Sequence, residues 1–234
     1  MKVLVACEYS GRVRDAFIKK GHDAISCDLL PTDKPGPHYQ GDVFDIINDG
    51  FDLMIAHPPC TFLTGAAEWA FDDCPKINGV PRKIKPGTLI GEARRQARRE
   101  ALDFVWKLWN CTIPKVCIEN PVGVIPKSLP KMGKPQYIQQ YWFGEDVSKK
   151  TGLWLDGLPE LVPTNLIEGR MVCCGHVVTD RYGCANCEGT KSVVYRWGNQ
   201  TDSGQNKLPP SEDRWKIRST TPQGIAEAMA EQWG

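Results

Sequence analysis

The 234-residue chain has no uninterrupted apolar stretch approaching the ~18 residues that a membrane-spanning helix needs, so it is not expected to cross a bilayer. It carries almost no net charge, 29 basic against 28 acidic side chains, which argues against a surface built to meet a polyanion on every side. It has no internal repeats, and nowhere does it contain the G-x-G-x-x-G run that seats a dinucleotide pyrophosphate. The N-terminus meets an acid, Glu8, directly after Cys7, too soon for the apolar core of a secretory leader. Ten cysteines without such a leader argue against a disulfide framework. These absences predict a soluble, cytoplasmic protein with no membrane contact and no obligate protein partner.

What is present is ordinary globular composition, 41% hydrophobic and 24% charged, in a length that suits one domain or a core domain with a small satellite. The charge is unevenly spread. Residues 76–107 hold nine Lys and Arg against three acids, including Arg94, Arg95, Arg98 and Arg99. A basic block on a neutral chain is either a site where a polyanion touches one face or a solvated helix face.

Short apolar runs at Val3–Cys7, Ala24–Cys27, Phe51–Ala56 and Lys115–Ile118 alternate with helical spacing at Val13, Phe17 and Ile18 and along Glu92–Trp109. That alternation predicts an α/β fold on a parallel sheet, with ligands at the carboxyl ends of the strands. Thr221-Pro222 predicts a capped final helix with proline at its first position. Residues 61–91, with three Pro and four Gly, read as a long mobile loop beside the site.

The strand ends carry the chemistry. Glu8-Tyr9-Ser10-Gly11 follows the first strand, Asp28 closes the second where a ribose-binding acid would stand, and Gly41-Asp42 adds a contact suited to an exocyclic amine. Such a set suits a nucleoside without phosphates, and S-adenosylmethionine is one. His57 and Pro58, with Tyr9 and Gly11, complete the candidate cofactor residues. Pro58-Pro59-Cys60 sets a thiol on a stiffened turn, and Glu119-Asn120 sets a carboxylate at the end of another strand. A thiolate is the strong nucleophile of neutral pH, and a carboxylate facing it suits addition to a ring whose nitrogen must be held at the same time. Cys7, Cys27, Cys74, Cys111 and Cys117 read as buried small hydrophobes.

Taken together, Pro58-Pro59-Cys60, Glu119-Asn120, Glu8 with Gly11, Asp28, Gly41-Asp42, Tyr141-Trp142-Phe143-Gly144 with Lys149-Lys150, and the closing Gln223-Gly224-Ile225-Ala226 resemble the DNA cytosine-C5 methyltransferases, in particular compact phage and prophage forms. The resemblance implies a Rossmann-like S-adenosylmethionine-dependent methyltransferase fold over residues 1–155 and 218–234, acting in the cytoplasm of a bacterial host. It implies that a flipped cytosine receives Cys60 at C6 while Glu119 contacts N3 and the exocyclic amine, and that C5 then takes the methyl group. Lys149-Lys150 would take the place of the family's cytosine-embracing arginines, and Arg94, Arg95, Arg98 and Arg99 would meet DNA phosphate. Thr61 and Pro121 stand where the family usually has other residues.

Cys173-Cys174-Gly175-His176, followed by Cys184 and Cys187, has the spacing of a structural zinc set of three Cys and one His, with Cys173 and Cys174 as alternatives for one ligand. The zinc-containing recognition module would be residues 156–217, with Arg181, Tyr182, Arg196 and Trp197 as base or phosphate contacts. Two other readings remain open: a zinc-stabilised nucleic-acid-binding protein without turnover, and an enzyme that modifies a pyrimidine nucleotide.

Overall fold

The computed structural model describes residues 1–178, 192–212 and 214–234. Arg181, Tyr182, Cys184 and Cys187 lie outside the described residues. The strands are β1 (Lys2–Ala6), β2 (Asp23–Asp28), β3 (His38–Gln40), β4 (Leu53–Ala56), β5 (Lys76–Ile77), β6 (Val80–Pro81), β7 (Lys115–Pro121), β8 (Gln136–Gln139), β9 (Lys150–Asp156), β10 (Arg170–Cys173), β11 (His176–Val177) and β12 (Val194–Arg196). The α-helices are α1 (Arg12–Lys19), α2 (Gly91–Trp109), α3 (Ile125–Ser128), α4 (Arg214–Ser219) and α5 (Gln223–Trp233).

Seven strands form one sheet in the order β3-β2-β1-β4-β7-β9-β8. The first five run parallel, and β9 is antiparallel to both of its neighbours. The chain turns outward from β1 in both directions, the doubly wound arrangement that places ligands beside the point of reversal. Side-chain alternation explains why both faces are covered. Val3 and Val5 of β1 and Leu53 and Ile55 of β4 join Phe17 of α1 and Ile225, Met229 and Trp233 of α5 on one face. Leu4, Ala6, Met54 and Ala56 face the other way, toward Val105 and Leu108 of α2. With strands buried on both faces, near-continuous apolar runs are what such a sheet requires. Among the described residues, no helix is long and apolar enough to cross a membrane.

A separate three-stranded antiparallel sheet, β11-β10-β12, occupies part of the 156–217 stretch, whereas Leu161 packs into the main core. Three expectations change. Pro222 stands at the cap of α5 and not at its first position, and the helix has no side-chain cap. Residues 61–91 hold a 3₁₀ turn, Glu68–Phe71, and the β5-β6 hairpin, so they are not without secondary structure. Cys74 is exposed, and Cys7 and Cys111 are only partly buried.

The sequence reading passed over Arg14. Its side chain is 0% exposed, and its guanidinium donates to Ser26 Oγ, Thr32 Oγ1 and the carbonyls of Lys34, Pro35 and Pro37, beside an ion pair with Asp15. This one cation therefore satisfies the backbone of the β2–β3 connection. Gly11 (φ +68°) and Gly36 (φ +150°) leave it room, since a Cβ at either would stand within 2.7 Å of the guanidinium. Replacing Arg14 would remove the buried cation that holds these five acceptors together, of which Ser26 is itself buried. Arg14→Leu is expected to lower the unfolding free energy by about 3 kcal/mol. The urea midpoint should fall at an unchanged slope, and a midpoint equal to the parent's would show the guanidinium to be dispensable.

Candidate active site

Parallel register brings the strand ends together. Ala6 pairs with Ala56 and Ala56 with Ile118, so the residues that follow emerge side by side at one edge. Two hydrogen bonds then tie the end of β4 to β7. Asn120 Nδ2 donates to the Pro58 carbonyl at 2.8 Å, and His57 Nδ1 lies 3.2 Å from Glu119 Oε2. Asn120 is buried, so the turn carrying Cys60 is held from below by an amide as well as stiffened by its two prolines. Cys60 itself is exposed.

Burial alone would raise the Glu119 carboxyl. The hydrogen bond from His57, the charge a protonated His57 would carry and the Lys149 charge outweigh it and leave the group below its ordinary range. Glu119 is therefore an anion at neutral pH. Burial, with the Asp28 carboxylate adding to it, pushes the Cys7 thiol far up and the Cys27 thiol up to about 12. Cys117 is raised by burial and by Glu119. These three thiols stay protonated, so none of them is a nucleophile.

Two cavities flank this edge. One, of about 440 Å³, is lined by Asp28 and Leu29 after β2, Gly41 and Asp42 after β3, Pro59 and Thr61 on either side of Cys60, and Phe104 of α2. Its described lining holds three carboxylates, Asp28, Asp42 and Glu100, and no cation. The other, of about 700 Å³, carries Arg12, Lys149, Lys207, Lys216 and Arg218 against Asp33 and Glu145. Its wall is α4, tethered through backbone carbonyls: Tyr9 OH donates to Lys216 O, Lys149 Nζ to Arg218 O and an Arg12 Nη to Thr221 O. The acidic cavity suits a flat, apolar ring with hydroxyl donors and repels phosphate. The basic one attracts it.

Several candidate residues serve the scaffold directly. Glu8 is buried and accepts from Val13 N, Arg14 N and Ser10 Oγ, so its carboxylate caps α1. Gly11 makes room for Arg14. Asp28 and Asp42 alone of the seven candidate cofactor residues line the acidic cavity, while Tyr9 lines the basic one. His57 faces Glu119, and Pro58 offers its carbonyl to Asn120. Lys149 and Lys150 diverge: Lys150 Nζ lies 4.2 Å from the Tyr137 ring centroid.

The arginine block is largely spent within the chain, and this corrects the choice between phosphate and solvent. Arg94 is buried against Phe62 and Phe71, and Arg98 stacks 3.6 Å over Phe71 while donating to the carbonyls of Phe62 and Thr64 and pairing with Glu68. Arg95 binds Phe71 O, Asp73 and Glu92. These three fasten the 61–90 segment to α2. Arg99 is the most exposed and pairs with Glu92. Trp197 stacks on Tyr141 with centroids 4.0 Å apart and donates to Ile167 O, so its ring is already covered on one side.

At the β10-β11 turn, Cys174 (φ +55°) and Gly175 (φ +80°) bring Cys173 and His176 into register as ladder partners. Among the described residues, no group of three or more His, Cys, Asp or Glu is placed to hold a metal. Residues absent from the sequence reading but present in the cavities include Leu29 and Phe104 on one side and Lys207, Lys216 and Arg218 on the other. Leu29 had a signal, a large apolar residue directly after an acid at a strand end, and it is 75% exposed.

No protein-family model matches the chain, and no curated protein does. Among solved structures it is similar to a crystal structure of a candidate DNA modification methyltransferase encoded within an E. coli prophage. The two are 14% identical, with a TM-score of 0.42 over 71% of this chain and 52% of that one, so this chain spans about half of that protein's length.

Burial raises the Asp28 carboxyl, against weaker lowering by the Leu30 and Leu29 backbone and by His38. A carboxyl raised in the folded state stabilises fully only below its unfolded value and loses that contribution as pH rises through the folded one. Asp28→Asn is therefore expected to raise the thermal midpoint of the ligand-free protein at pH 7. The difference should vanish below about pH 4, and a variant less stable than the parent at pH 7 would contradict the assignment.

Proposed function

We propose that the protein transfers a methyl group from S-adenosylmethionine to C5 of cytosine in DNA. The observation that supports this reading is a pair of oppositely charged cavities, each lined by a neighbour of one candidate catalytic residue, Cys60 or Glu119. Pro59 and Thr61, the neighbours of Cys60, line the acidic cavity, and Lys149, whose charge acts on Glu119, lines the basic one. A sulfonium nucleoside carries positive charge and no phosphate, so three carboxylates beside Leu29, Phe62 and Phe104 fit it and disfavour a nucleotide. Asp28 would take ribose hydroxyls, and Asp42 the exocyclic amine. A polyanionic strand fits the cavity with five cations. The sheet order, with one antiparallel strand placed among parallel ones, supports the Rossmann-like methyltransferase fold.

In this reading the cofactor supplies an electrophilic methyl group. The Cys60 thiolate bonds to C6 of a base taken out of its stack, and ring electron density moves toward N3 and C5. Glu119 holds the base edge, and Asn120 keeps the Cys60 turn in place. C5 would take the methyl group as the sulfonium leaves as a neutral thioether; water would then accept the C5 proton as the Cys60–C6 bond breaks and the thiolate is regenerated. Zinc held by Cys173 or Cys174, His176, Cys184 and Cys187 would brace the small β10–β12 sheet, which has few buried apolar residues of its own. The exposed loop nucleophile makes turnover the reading favoured over a binding protein without activity.

The test is mass spectrometry of nucleosides from DNA incubated with protein and S-adenosylmethionine. One added methyl on deoxycytidine is expected, lost in Cys60→Ser with cofactor binding kept; a Cys60→Ser protein that turns over like the parent would remove Cys60 from the mechanism. For the basic cavity, the Lys216→Ala, Arg218→Ala double variant should flatten the dependence of log affinity for DNA on log salt by about two units. An unchanged slope would place the strand elsewhere. Elemental analysis should find about one zinc per chain, lost on replacing His176 by Ala.

A further inference from the structure

We propose that His57 is a positioning residue for Glu119: a neutral imidazole, protonated on Nδ1, that occupies Oε2 and leaves Oε1 as the only oxygen turned to a substrate base. The proposal rests on the cytosine reading for its substrate and on geometry alone for the pair itself.

His57 sits where β4 ends, with its backbone N–H donating to Ala6 O at 2.9 Å, and the next residue's carbonyl is held by Asn120. Both flanks of the imidazole are thus anchored. Its side chain is 7% exposed, and Nδ1 approaches Glu119 Oε2 at 3.2 Å. Nε2 is buried and has no hydrogen-bond partner among the described residues. A proton on Nε2 would be a buried donor without an acceptor, and an imidazolium would add a charge to the same place. A bare Nε2 avoids both, which puts the proton on Nδ1, where the carboxylate accepts it.

Among the described residues, Glu119 has no other direct bond of this kind. The charged or titratable groups that face it are Lys149, ahead of β9, whose ammonium is committed to the Arg218 carbonyl, and the Cys117 thiol, two residues back on its own strand. Among the described residues no hydrogen bond reaches Oε1, and the Glu119 side chain remains 22% exposed. A carboxylate with one oxygen engaged by a neighbour offers a base the other oxygen first, since Oε2 is turned to the imidazole. Against the pyrimidine edge that acceptor meets the exocyclic amine of cytosine, and it repels the oxygen that uracil presents at the same position. His57 thereby turns a symmetric carboxylate into a one-sided reader. Free rotation of the carboxylate would lose that preference, because either oxygen could then be displaced by water.

The test reads the pair directly. In protein labelled at its carboxyl carbons, the Glu119 resonance is identified by its absence from Glu119→Gln and followed with pH. Nitrogen shifts of the His57 ring report its tautomer. The expected result is a neutral ring with its proton on Nδ1 at pH 7. The Glu119 titration should move upward by about one pH unit or more in His57→Leu and largely return in His57→Asn, whose amide can reproduce the donor. An imidazolium, a proton on Nε2, or a titration unmoved by His57→Leu would overturn the proposal. Should His57→Leu not fold, the parent's ring and the His57→Asn titration decide it. With DNA, His57→Leu should lower kcat/KM for cytosine without weakening S-adenosylmethionine binding, and should narrow the preference over uracil. If the parent methylates no cytosine while the titration shift is present, the function has failed and the pairing stands.

Discussion

The hydrogen-bond register between β1, β4 and β7 is the constraint from which the rest follows. Ala6, Ala56 and Ile118 lie side by side in three parallel strands, so whatever follows each must emerge at one edge. A slip of one residue would exchange the two core faces, sending Leu53 and Ile55 toward α2 and Met54 and Ala56 toward α1 and α5. Burial on both faces forbids that slip. The same packing that fills the core thus sets His57 beside Glu119 and Pro58 beside Asn120, and the two hydrogen bonds between these pairs hold the turn that leads to Cys60.

Electrostatics then divides the edge. Three carboxylates line one cavity and five cations the other, although the whole chain is nearly neutral. Such separation carries a stability cost. Asp28 is raised by burial, so the fold holds a carboxylate where a neutral side chain would be easier to keep. A cationic ligand removes that penalty, which makes the cavity selective for charge before any detailed contact is made.

The sequence was legible where apolar runs and acids sit on the same few residues. The four central strands and α2 stand close to their expected bounds because a doubly covered parallel strand needs five or so unbroken apolar positions. β3 and β8 were not legible: each is short, and Gln40, Gln136 and Gln139 interrupt any alternation at the sheet's outer positions. Glu8 shows a different limit. An acid after a strand reads the same whether it binds a ribose or caps a helix, and only the direction of α1 decides that Val13 and Arg14 point their N–H groups at it. Arg14 carries little local signal, since the three carbonyls it holds come from the loop 20 to 23 residues ahead.

The arginine run shows why a charge count is a weak guide to partners. Arg94, Arg95 and Arg98 lie on the α2 turns nearest the 61–90 segment, and that segment supplies Phe62, Phe71, Glu68 and Asp73 together with several carbonyls. A guanidinium is planar and weakly hydrated, so it can stack on an aromatic ring while its edge bonds a carbonyl, which an ammonium cannot do as well. Three such groups fasten a segment rich in Pro and Gly that has too few apolar residues to pack alone. The segment begins directly after Cys60, so its fastening also limits how far that side chain can swing. The cations of the basic cavity are instead scattered in sequence, Arg12, Lys149, Lys207, Lys216 and Arg218, and only the fold collects them. Charge that is contiguous in sequence holds the protein together here, and charge that is dispersed in sequence forms the surface.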